Sequence, residues 1–223
     1  MKYYAVRKGI KVGIFTDWDS CKEATKGYSG AEFKSFGTQA EAEQYLAGID
    51  NVSTVMKPTN ANEVLVYVDG SFQNEVIAFG IYIESANKDF KFCGCVDSFQ
   101  YNSLRNVAGE LFGALCGVEL AKDMGFKKVS IIYDYQGLES WYTGEWKAKT
   151  SLGIKYTSIL RGLHTNDDLD INFIKVKGHS GNYGNNIADK LAKRAGVMKN
   201  YVDTDLIFKG TLSVNDISFV NCF

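Results

Sequence analysis

Residues 63–97, EVLVYVDGSFQNEVIAFGIYIESANKDFKFCGCVD, decide the fold of most of this chain. They contain three apolar runs, EVLVYVD, VIAFGIYIES and DFKFCGCVD, whose β-branched and aromatic side chains are typical of strands. The short turn at 86–88 favours antiparallel hairpins. The first run ends on Asp69, so we expect a carboxylate at the end of a central strand, where open α/β sheets tend to place their sites.

The patterns that follow switch between helix and strand, in the order helix 106–124, strand 127–134 (KKVSIIYD), helical segments to about 165, strand 171–177 (INFIKVK) and helix 182–196. Three antiparallel strands followed by such alternation predict a mixed α/β sheet with helices on its faces. Residues 197–223 are weakly strand-like, and their pattern does not indicate where they lie in the fold.

A separate small α+β unit is predicted for residues 1–48. Its expected elements are two hairpin strands at 3–7 and 11–16, a short polar helix after Trp18, a strand in AEFKSF and a helix in AEAEQYLAG. Thr38 and Glu41 fit a capping box before the last helix. Residues 49–62 carry the only proline and no clear period, so we predict a linker there.

Composition excludes several classes of protein. The 223 residues are 45% hydrophobic and 23% charged, which is ordinary for a globular chain. No apolar run reaches the roughly 18 residues of a transmembrane helix. The start, MKYYAVRKGIKVG, has charges and glycines where a signal peptide needs an apolar core. We therefore expect a soluble monomer without a membrane partner, in the cytoplasm or in the nucleus or an organelle of a eukaryote.

The distribution of charge along the chain is more informative about binding partners than the net charge of −1. Basic side chains outnumber acidic ones over residues 1–34, and the rest of the chain carries the acidic excess. A basic front joined to an acidic body fits a nucleic-acid-binding module attached to a body that attracts metal ions.

Four acidic residues suggest the chemistry: Asp69, Glu110, Asp134 and Asp189. The first and third follow strand-like runs, and the others lie on predicted helices. Singly they have ordinary explanations, as turn, capping or solvent-facing residues. Together they offer the oxygen ligands that Mg²⁺ prefers. Two such ions about 4 Å apart can hold both the attacking and the leaving oxygen of a phosphodiester. Asp69 is the expected bridge between them.

Near these acids lies His179, in the glycine-flanked segment KGHSG. Imidazole exchanges protons near neutral pH, which suits proton handling at a leaving group. A loop histidine bonded to its own backbone is the ordinary alternative. His164, in the polar stretch RGLHTND, is expected in a loop and receives no role.

These motifs resemble type 1 ribonuclease H. Over residues 63–196 the matching pieces are YVDGS, RNVAGEL, IIYDYQGLESW, GEWKAKT, KVKGHSG and NNIADKLA. Residues 1–48 resemble the family's N-terminal hybrid-binding domain through YYAVRKGIKVGIF, Trp18 and AEFKSF. The resemblance implies a ribonuclease H-like mixed five-stranded sheet flanked by helices, preceded by a small α+β hybrid-binding domain and a linker. Residues 197–223 become a C-terminal extension without an assigned role.

The resemblance also implies an activity. The chain would be an endonuclease that hydrolyses the RNA strand of RNA/DNA hybrids, leaving 3′-hydroxyl and 5′-phosphate ends. It would use two Mg²⁺ ions, with Mn²⁺ as a substitute. The implied metal ligands are Asp69, Glu110, Asp134 and Asp189, and His179 would assist proton transfer or product release.

Ten residues match nucleic-acid contacts of the family. In the body they are Ser71, Asn74, Arg105, Asn106, Trp141 and Trp146, and in the front they are Tyr4, Trp18, Phe33 and Lys34. Aromatic faces suit sugars and lysines suit phosphates, whereas 2′-hydroxyls distinguish the RNA strand. Packing is the alternative for the tryptophans at 141 and 146, and so is a core role for Tyr4 and Phe33.

The chain departs from the family at three places. Asn185-Asn186 replaces an Asn-Glu pair, and Arg105 stands where a threonine commonly grips a DNA phosphate. The family's basic handle is shortened to 141–146, which lowers nonspecific electrostatic binding. We expect the front unit to compensate.

Two other functions compete with an active hybrid-specific nuclease. One is a noncatalytic protein that binds RNA/DNA hybrids or double-stranded RNA, and the second is another nuclease or an integrase on the same sheet topology. The complete set of acids and the histidine argues against the first. The front unit together with KGHSG argues against the second.

Overall fold

The computed structural model of this chain describes residues 2–46, 57–58, 60–97, 99–176 and 182–219. The chain divides into two compact units, Met1–Val55, called the front unit, and Met56–Phe223, called the body. The division falls within the predicted linker, most of which lies outside the described residues. Among the described helices, none is long and apolar enough to span a bilayer.

The front unit is a three-stranded antiparallel sheet with two helices. Its elements are β1 (Tyr3–Lys8), β2 (Gly13–Phe15), α1 (Trp18–Thr25), β3 (Glu32–Phe36) and α2 (Gln39–Leu46), with the strands in the order β2-β1-β3. Successive side chains of β1 alternate between the two faces of the sheet. Val6 packs with residues of α1, and Ala5 packs with Ala42 of α2, so each face has a small core of its own.

The body is built on a sheet of the order β8-β7-β4-β5-β6-β9. Its elements are β4 (Glu63–Gln73), β5 (Val76–Ser85), β6 (Phe90–Val96), a 3-10 helix (Phe99–Leu104), α3 (Asn106–Asp123), β7 (Lys128–Tyr133), α4 (Gly137–Thr143), α5 (Ser151–Asn166), β8 (Asp170–Lys175), α6 (Tyr183–Met198), α7 (Thr204–Lys209) and β9 (Ser218–Phe219). Strands β4, β5 and β6 are antiparallel, whereas β7 and β8 run parallel to β4. The predicted mixed five-stranded sheet with flanking helices is confirmed, and β9 adds a short sixth strand at the edge.

Strand β4 is central because both of its faces are buried. Val64, Val66 and Val68 belong to the main core on the side of α3, and Leu65 and Tyr67 are buried on the opposite face. Helix α3 is buried along nearly its whole length, which explains its run of small and apolar residues. The core therefore holds the central strand rigidly at the level where the acidic residues begin.

The predicted end of the first body strand at Asp69 is wrong. Strand β4 continues to Gln73, since β5 pairs with it as far as Gln73↔Val76. The connecting residues Asn74 and Glu75 both have positive φ, 49° and 63°, as a tight hairpin turn requires. What ends near Asp69 is the parallel ladder with β7, whose last pair is Tyr67↔Ile132. Asp69 thus lies just beyond the carboxyl end of that ladder.

The C-terminal extension is part of the body. Its backbone is tied to β6, because Cys95 N donates to Asn200 O (2.7 Å) and Val202 N donates to Cys95 O (2.8 Å). Its buried apolar side chains join the main core; they are Val202, Ile207, Leu212 and Ile217. The extension contains a helix, α7, in addition to the strand character that the sequence indicates. It covers the outer edge of the sheet and the flank of α3.

His164 lies in α5, not in a loop as predicted. Its Nδ1 is 2.8 Å from the carbonyl oxygen of Leu169. The polar side chains around it follow helical spacing on the exposed side of α5, and Thr150 caps the start of that helix. This histidine joins the end of α5 to the segment before β8.

Candidate active site

Close backbone packing brings α3 to Asp69. A Cβ atom placed on Gly70 would lie 2.5 Å from Glu110 N, and one placed on Gly109 would lie 2.8 Å from the Cα of Gly70. Neither position has room for a side chain, so the helix and the strand touch through their backbones. Glu110, the residue after Gly109, is therefore held beside Asp69, although it lies mid-helix among apolar residues.

A second close approach brings α6 to the same level. Gly80 is directly opposite Asp69 in the β4–β5 ladder. A Cβ on Gly80 would overlap Ala188 O and lie 2.5 Å from Ala192 N. The backbone of α6 thus lies against β5 at this point, and Asp189 follows Ala188 along the helix. Glycine inside an apolar strand run commonly marks such an approach.

The fourth acid comes from the neighbouring parallel strand. Asp134 directly follows Tyr133, the last residue of β7. One pocket of about 340 Å³ is lined by all four predicted acids; its lining residues are Asp69, Gly70, Ser71, Phe72, Gln73, Asn106, Glu110, Asp134, Asp189 and Lys193. The predicted convergence of the carboxylates from two strands and two helices is what the structure shows.

Burial dominates the electrostatics of this pocket. Desolvation raises the pKa of Asp69 to about 6; a hydrogen bond from Gly70 N lowers it, and the charges of Asp134 and Asp189 add to the rise. Desolvation, followed by the charges of Asp134 and Asp69, raises the pKa of Glu110 to about 9. Among the described residues, the buried Glu110 Oε2 has no hydrogen-bond partner. Removing these groups from water is costly unless a cation joins them.

The donors fit hard divalent cations. They are carboxylate oxygens, and the unpartnered Glu110 Oε2 is the kind of buried atom that a cation would satisfy. Within the described ranges, no three His, Cys, Asp or Glu side chains are arranged to hold one ion by themselves. An ion here would therefore complete its shell with water, which is the usual habit of Mg²⁺.

The other predicted residues of the body have different surroundings. Ser71 and Asn106 line the pocket. Asn74 is exposed in the β4–β5 turn, and Arg105 is exposed at the start of α3 with a φ of 50°. His179 and the rest of KGHSG lie outside the described residues. Beyond them, Asn185 is buried at the start of α6, and its Oδ1 has no partner within the described part of the chain, whereas Asn186 is exposed.

The two tryptophans of the shortened handle differ. Trp141 is half-buried, packs on the main core and meets the ring of Tyr135 edge-on at 5.8 Å between centroids. Packing is thus part of the role of Trp141, and its contact with nucleic acid stays a prediction. Trp146 is 43% exposed, and a wall of the nucleic-acid channel remains the prediction for it.

The front unit presents a row of aromatic rings, called the aromatic row. Trp18 lies between Tyr4 and Phe33, with centroid distances of 5.6 and 5.8 Å. Trp18 is 46% exposed and Phe33 42%, whereas Tyr4 is half-buried. Asp17 fixes the start of α1, because its Oδ1 accepts a hydrogen bond from Ser20 N at 2.8 Å.

Lys34 does not join this row. It pairs with Ala5 in the β1–β3 ladder, whereas Phe33 pairs with Val6. Neighbouring residues of a strand point to opposite faces, so Lys34 lies on the face of α2. There its ammonium is 5.9 Å from the ring centroid of Phe36. A contact of Lys34 with nucleic acid stays a prediction, and the register places that contact on the face of α2.

Sequence reasoning missed one charged residue of the pocket. Lys193 is four residues after Asp189, and its ammonium contacts both carboxylate oxygens, at 2.7 Å (Oδ1) and 2.8 Å (Oδ2). The signal was available, because residues four apart on a helix lie on the same face. Gly80 was also missed, although an isolated glycine in a strand pattern indicates close backbone contact.

Comparison with known proteins agrees with these motifs. A family model described as RNase H matches residues 61–196, and one described as Ribonuclease H1 N-terminal domain matches residues 2–46. Ribonuclease H1 of Homo sapiens is 24% identical over an alignment that is 252 positions long with its gaps. The alignment covers 86% of this chain and 88% of the human protein. Ribonuclease H of Saccharomyces cerevisiae is 37% identical over 59 residues. That match spans 26% of this chain and only 17% of the yeast protein.

Among solved structures, RNase H1 from the halophilic archaeon Halobacterium salinarum NRC-1 gives a TM-score of 0.48 at 23% identity. The superposition covers 60% of this chain and 96% of that one. The RNase H match over more than half of the residues is the deciding comparison. This chain belongs to the ribonuclease H family of enzymes, with a ribonuclease H1 N-terminal domain in front of the catalytic one.

Proposed function

We propose that this chain is an endonuclease that hydrolyses the RNA strand of RNA/DNA hybrids with the help of two divalent cations. One observation carries the proposal: Asp69, Glu110, Asp134 and Asp189 line a single pocket, where a buried oxygen of Glu110 has no partner in the described ranges. The family match and the ribonuclease H names of its relatives support it.

The four carboxylates would hold the ions, with Asp69 as the shared ligand. Asp69 is suited to this role because its strand, β4, is central in the sheet. Asp134 follows the neighbouring strand β7, and the other two acids come from the helices α3 and α6. When bound, two such ions activate water and neutralise charge on the phosphate during in-line displacement. Mg²⁺ is the proposed ion, with Mn²⁺ as a substitute, because both prefer oxygen donors.

Besides metal ions, hydrolysis requires groups that accept and donate protons. Water adds to phosphorus while the bond from phosphorus to O3′ breaks, so the products carry a 3′-hydroxyl and a 5′-phosphate. The attacking water loses a proton and O3′ gains one. We assign proton delivery, or release of the product, to His179, whose imidazole suits exchange near neutral pH.

Strand choice depends on polar groups beside the acids. Ser71 and Asn106 line the same pocket and offer a hydroxyl and an amide to the 2′-hydroxyls that mark RNA. Asn74, exposed in the adjacent turn, and Arg105, exposed at the start of α3, extend this polar rim. Arg105 is suited to a phosphate, since guanidinium donates two parallel hydrogen bonds.

The front unit is proposed to bind the same hybrid, with double-stranded RNA as a second ligand. Its exposed aromatic row offers flat faces to sugars and bases. Lys34 would contact phosphates from a separate face of the unit. Joining the two modules raises the local concentration of hybrid near the catalytic pocket, which compensates for the short segment at 141–146.

Cleavage of labelled duplexes tests this proposal. The protein is incubated with an RNA/DNA hybrid, a DNA duplex and an RNA duplex, with Mg²⁺ and then with excess EDTA. We expect loss of the RNA strand of the hybrid alone, and only with the metal. Tight binding without cleavage would favour a noncatalytic binding protein, and cleavage or joining of DNA would favour another nuclease or an integrase.

A further inference from the structure

We propose that Lys193 competes with a divalent cation for Asp189, so that an ion binds there only after displacing the ammonium. This inference rests on the proposed function, because it concerns the ions that the pocket would hold. Three observations support it: the contacts of Lys193 with Asp189, the position of Lys193 in the pocket, and the freedom of its side chain to leave.

The ammonium of Lys193 contacts both oxygens of the carboxylate. The ammonium of Lys193 is 2.7 Å from Oδ1 and 2.8 Å from Oδ2 of Asp189. A divalent cation bound to either oxygen would be brought close to a positive charge. Like charges at such distances repel, so the ammonium and the ion compete for Asp189. Asp189 is therefore neutralised while Lys193 stays in place.

The ammonium also acts on the rest of the site. Among the described residues that line the pocket, Lys193 is the single cation. Its charge reaches Asp69, where it opposes the rise in pKa that burial causes. Lys193 thus compensates part of the negative charge that four neighbouring carboxylates concentrate. An ion that enters replaces this compensation with its own larger charge.

Displacement of Lys193 is cheap. Its side chain is 56% exposed and that of Asp189 32%, so the freed ammonium returns to water. A pair of this kind, four residues apart on a helix, contributes only a few tenths of a kcal/mol to stability. Substitution of Lys193 should therefore leave the fold intact, and a change in metal affinity would not arise from unfolding.

Metal titration of the full chain without nucleic acid tests the inference. Dissociation constants for Mg²⁺ and Mn²⁺ are measured by calorimetry for the wild type, Lys193→Met and Lys193→Arg. Removing the competitor in Lys193→Met should tighten binding about two- to fivefold. Lys193→Arg keeps a cation at the same distance along the helix and should bind the ions as weakly as the wild type, or more weakly.

The matched control is Lys190→Met, at an exposed lysine of the same helix that does not line the pocket. It should keep the wild-type dissociation constants. Unchanged or weaker binding by Lys193→Met would overturn the inference, as would equal tightening by Lys190→Met. A wild type that binds neither ion would contradict the proposed function. Equal binding of the ions by the wild type and all variants would contradict only the role of Lys193.

Discussion

Asp69 and Gly80 face each other across the β4–β5 ladder, and the backbone of α6 lies where a side chain of Gly80 would be. The absence of a side chain at Gly80 thus determines how near Asp189 comes to Asp69. The close backbone contact between Gly70 and Gly109 likewise determines how near α3 brings Glu110 to Asp69. Three glycines therefore determine the spacing of the acidic residues.

Gly80→Ala should destabilise the body and weaken its binding of metal. The new Cβ would overlap Ala188 O, and a backbone atom cannot move aside alone, so a cost of about 1–3 kcal/mol is expected. Urea unfolding measures the loss, and calorimetry measures the affinity for Mn²⁺. Gly196→Ala is the control: its Cβ would be 3.6 Å from Ala78 Cβ, and alanine inside a helix should add about 0.5–1 kcal/mol. Equal effects of the two changes would contradict this view.

Asp69→Asn should abolish cleavage while hybrid binding persists. The amide loses the charge of the proposed shared ligand, and several kcal/mol of transition-state stabilisation correspond to a loss of about a thousandfold or more in rate. Single-turnover cleavage and a binding titration separate the two effects. Asp205→Asn, on the exposed side of α7, should cleave at the wild-type rate. Near-normal turnover by Asp69→Asn would refute the assigned role.

Metal binding should release protons at neutral pH. The pKa of Glu110 is about 9 without metal, so this carboxyl is mostly protonated at pH 7 and must ionise to become a ligand. The apparent affinity for Mn²⁺ should therefore rise as the pH increases from about 6 to about 9. Calorimetry in buffers with different ionisation enthalpies counts the protons. Affinity that is independent of pH would show that Glu110 does not lose a proton on metal binding in this range.

Glu119 should make the body less stable as the pH rises. Burial raises its pKa from the ordinary 4.5 to about 8, although a hydrogen bond from Leu212 N opposes the rise. The folded state therefore holds this proton more tightly than the unfolded chain does. The contribution of Glu119 is complete below pH 4.5 and is lost progressively up to about pH 8.

Glu119→Gln removes this dependence, because the amide does not titrate and still accepts a hydrogen bond. Its stability relative to the wild type should increase by up to a few kcal/mol between those pH values. Ile207→Ala serves as a non-titrating control in the extension, with a loss of about 2–5 kcal/mol that does not vary over this range. Parallel stability curves for the wild type and Glu119→Gln would show that Glu119 does not titrate in this interval.

Trp18→Ala should weaken hybrid binding about tenfold, because stacking on an aromatic ring contributes about 1–3 kcal/mol. The side chain is 46% exposed, so the front unit should remain folded, as circular dichroism would verify. Cleavage at saturating hybrid should continue. Tyr28→Ala, at an exposed ring outside the aromatic row, is the matched control and should bind normally. Unchanged affinity of Trp18→Ala across a salt series would remove Trp18 from the binding surface.

Much of the fold was predictable because its signals are local. Alternating apolar residues indicate the strands around Asp69 and Asp134, and helical spacing indicates the helices that carry Glu110 and Asp189. Each signal depends on neighbours a few positions away, which the sequence displays directly. The family resemblance adds the expectation that these acids converge.

Other features were not predictable from local patterns. The end of β4 depends on its pairing with β5, and the C-terminal extension depends on apolar contacts with β6 and α3. The face on which Lys34 lies depends on the register between β1 and β3, which composition does not show. The spacing of Lys193 from Asp189 is visible in the sequence, but the place of Lys193 in the pocket depends on how α6 lies against the sheet.

The sequence alone indicated which residues we propose to carry the chemistry and which elements hold them, since residue type and periodicity are properties of the chain itself. Only the tertiary structure decided how closely those residues approach. That distance depends on backbone contacts at Gly70, Gly80 and Gly109, between segments far apart in the chain. Packing sets these contacts, because a single added methyl group would have no space.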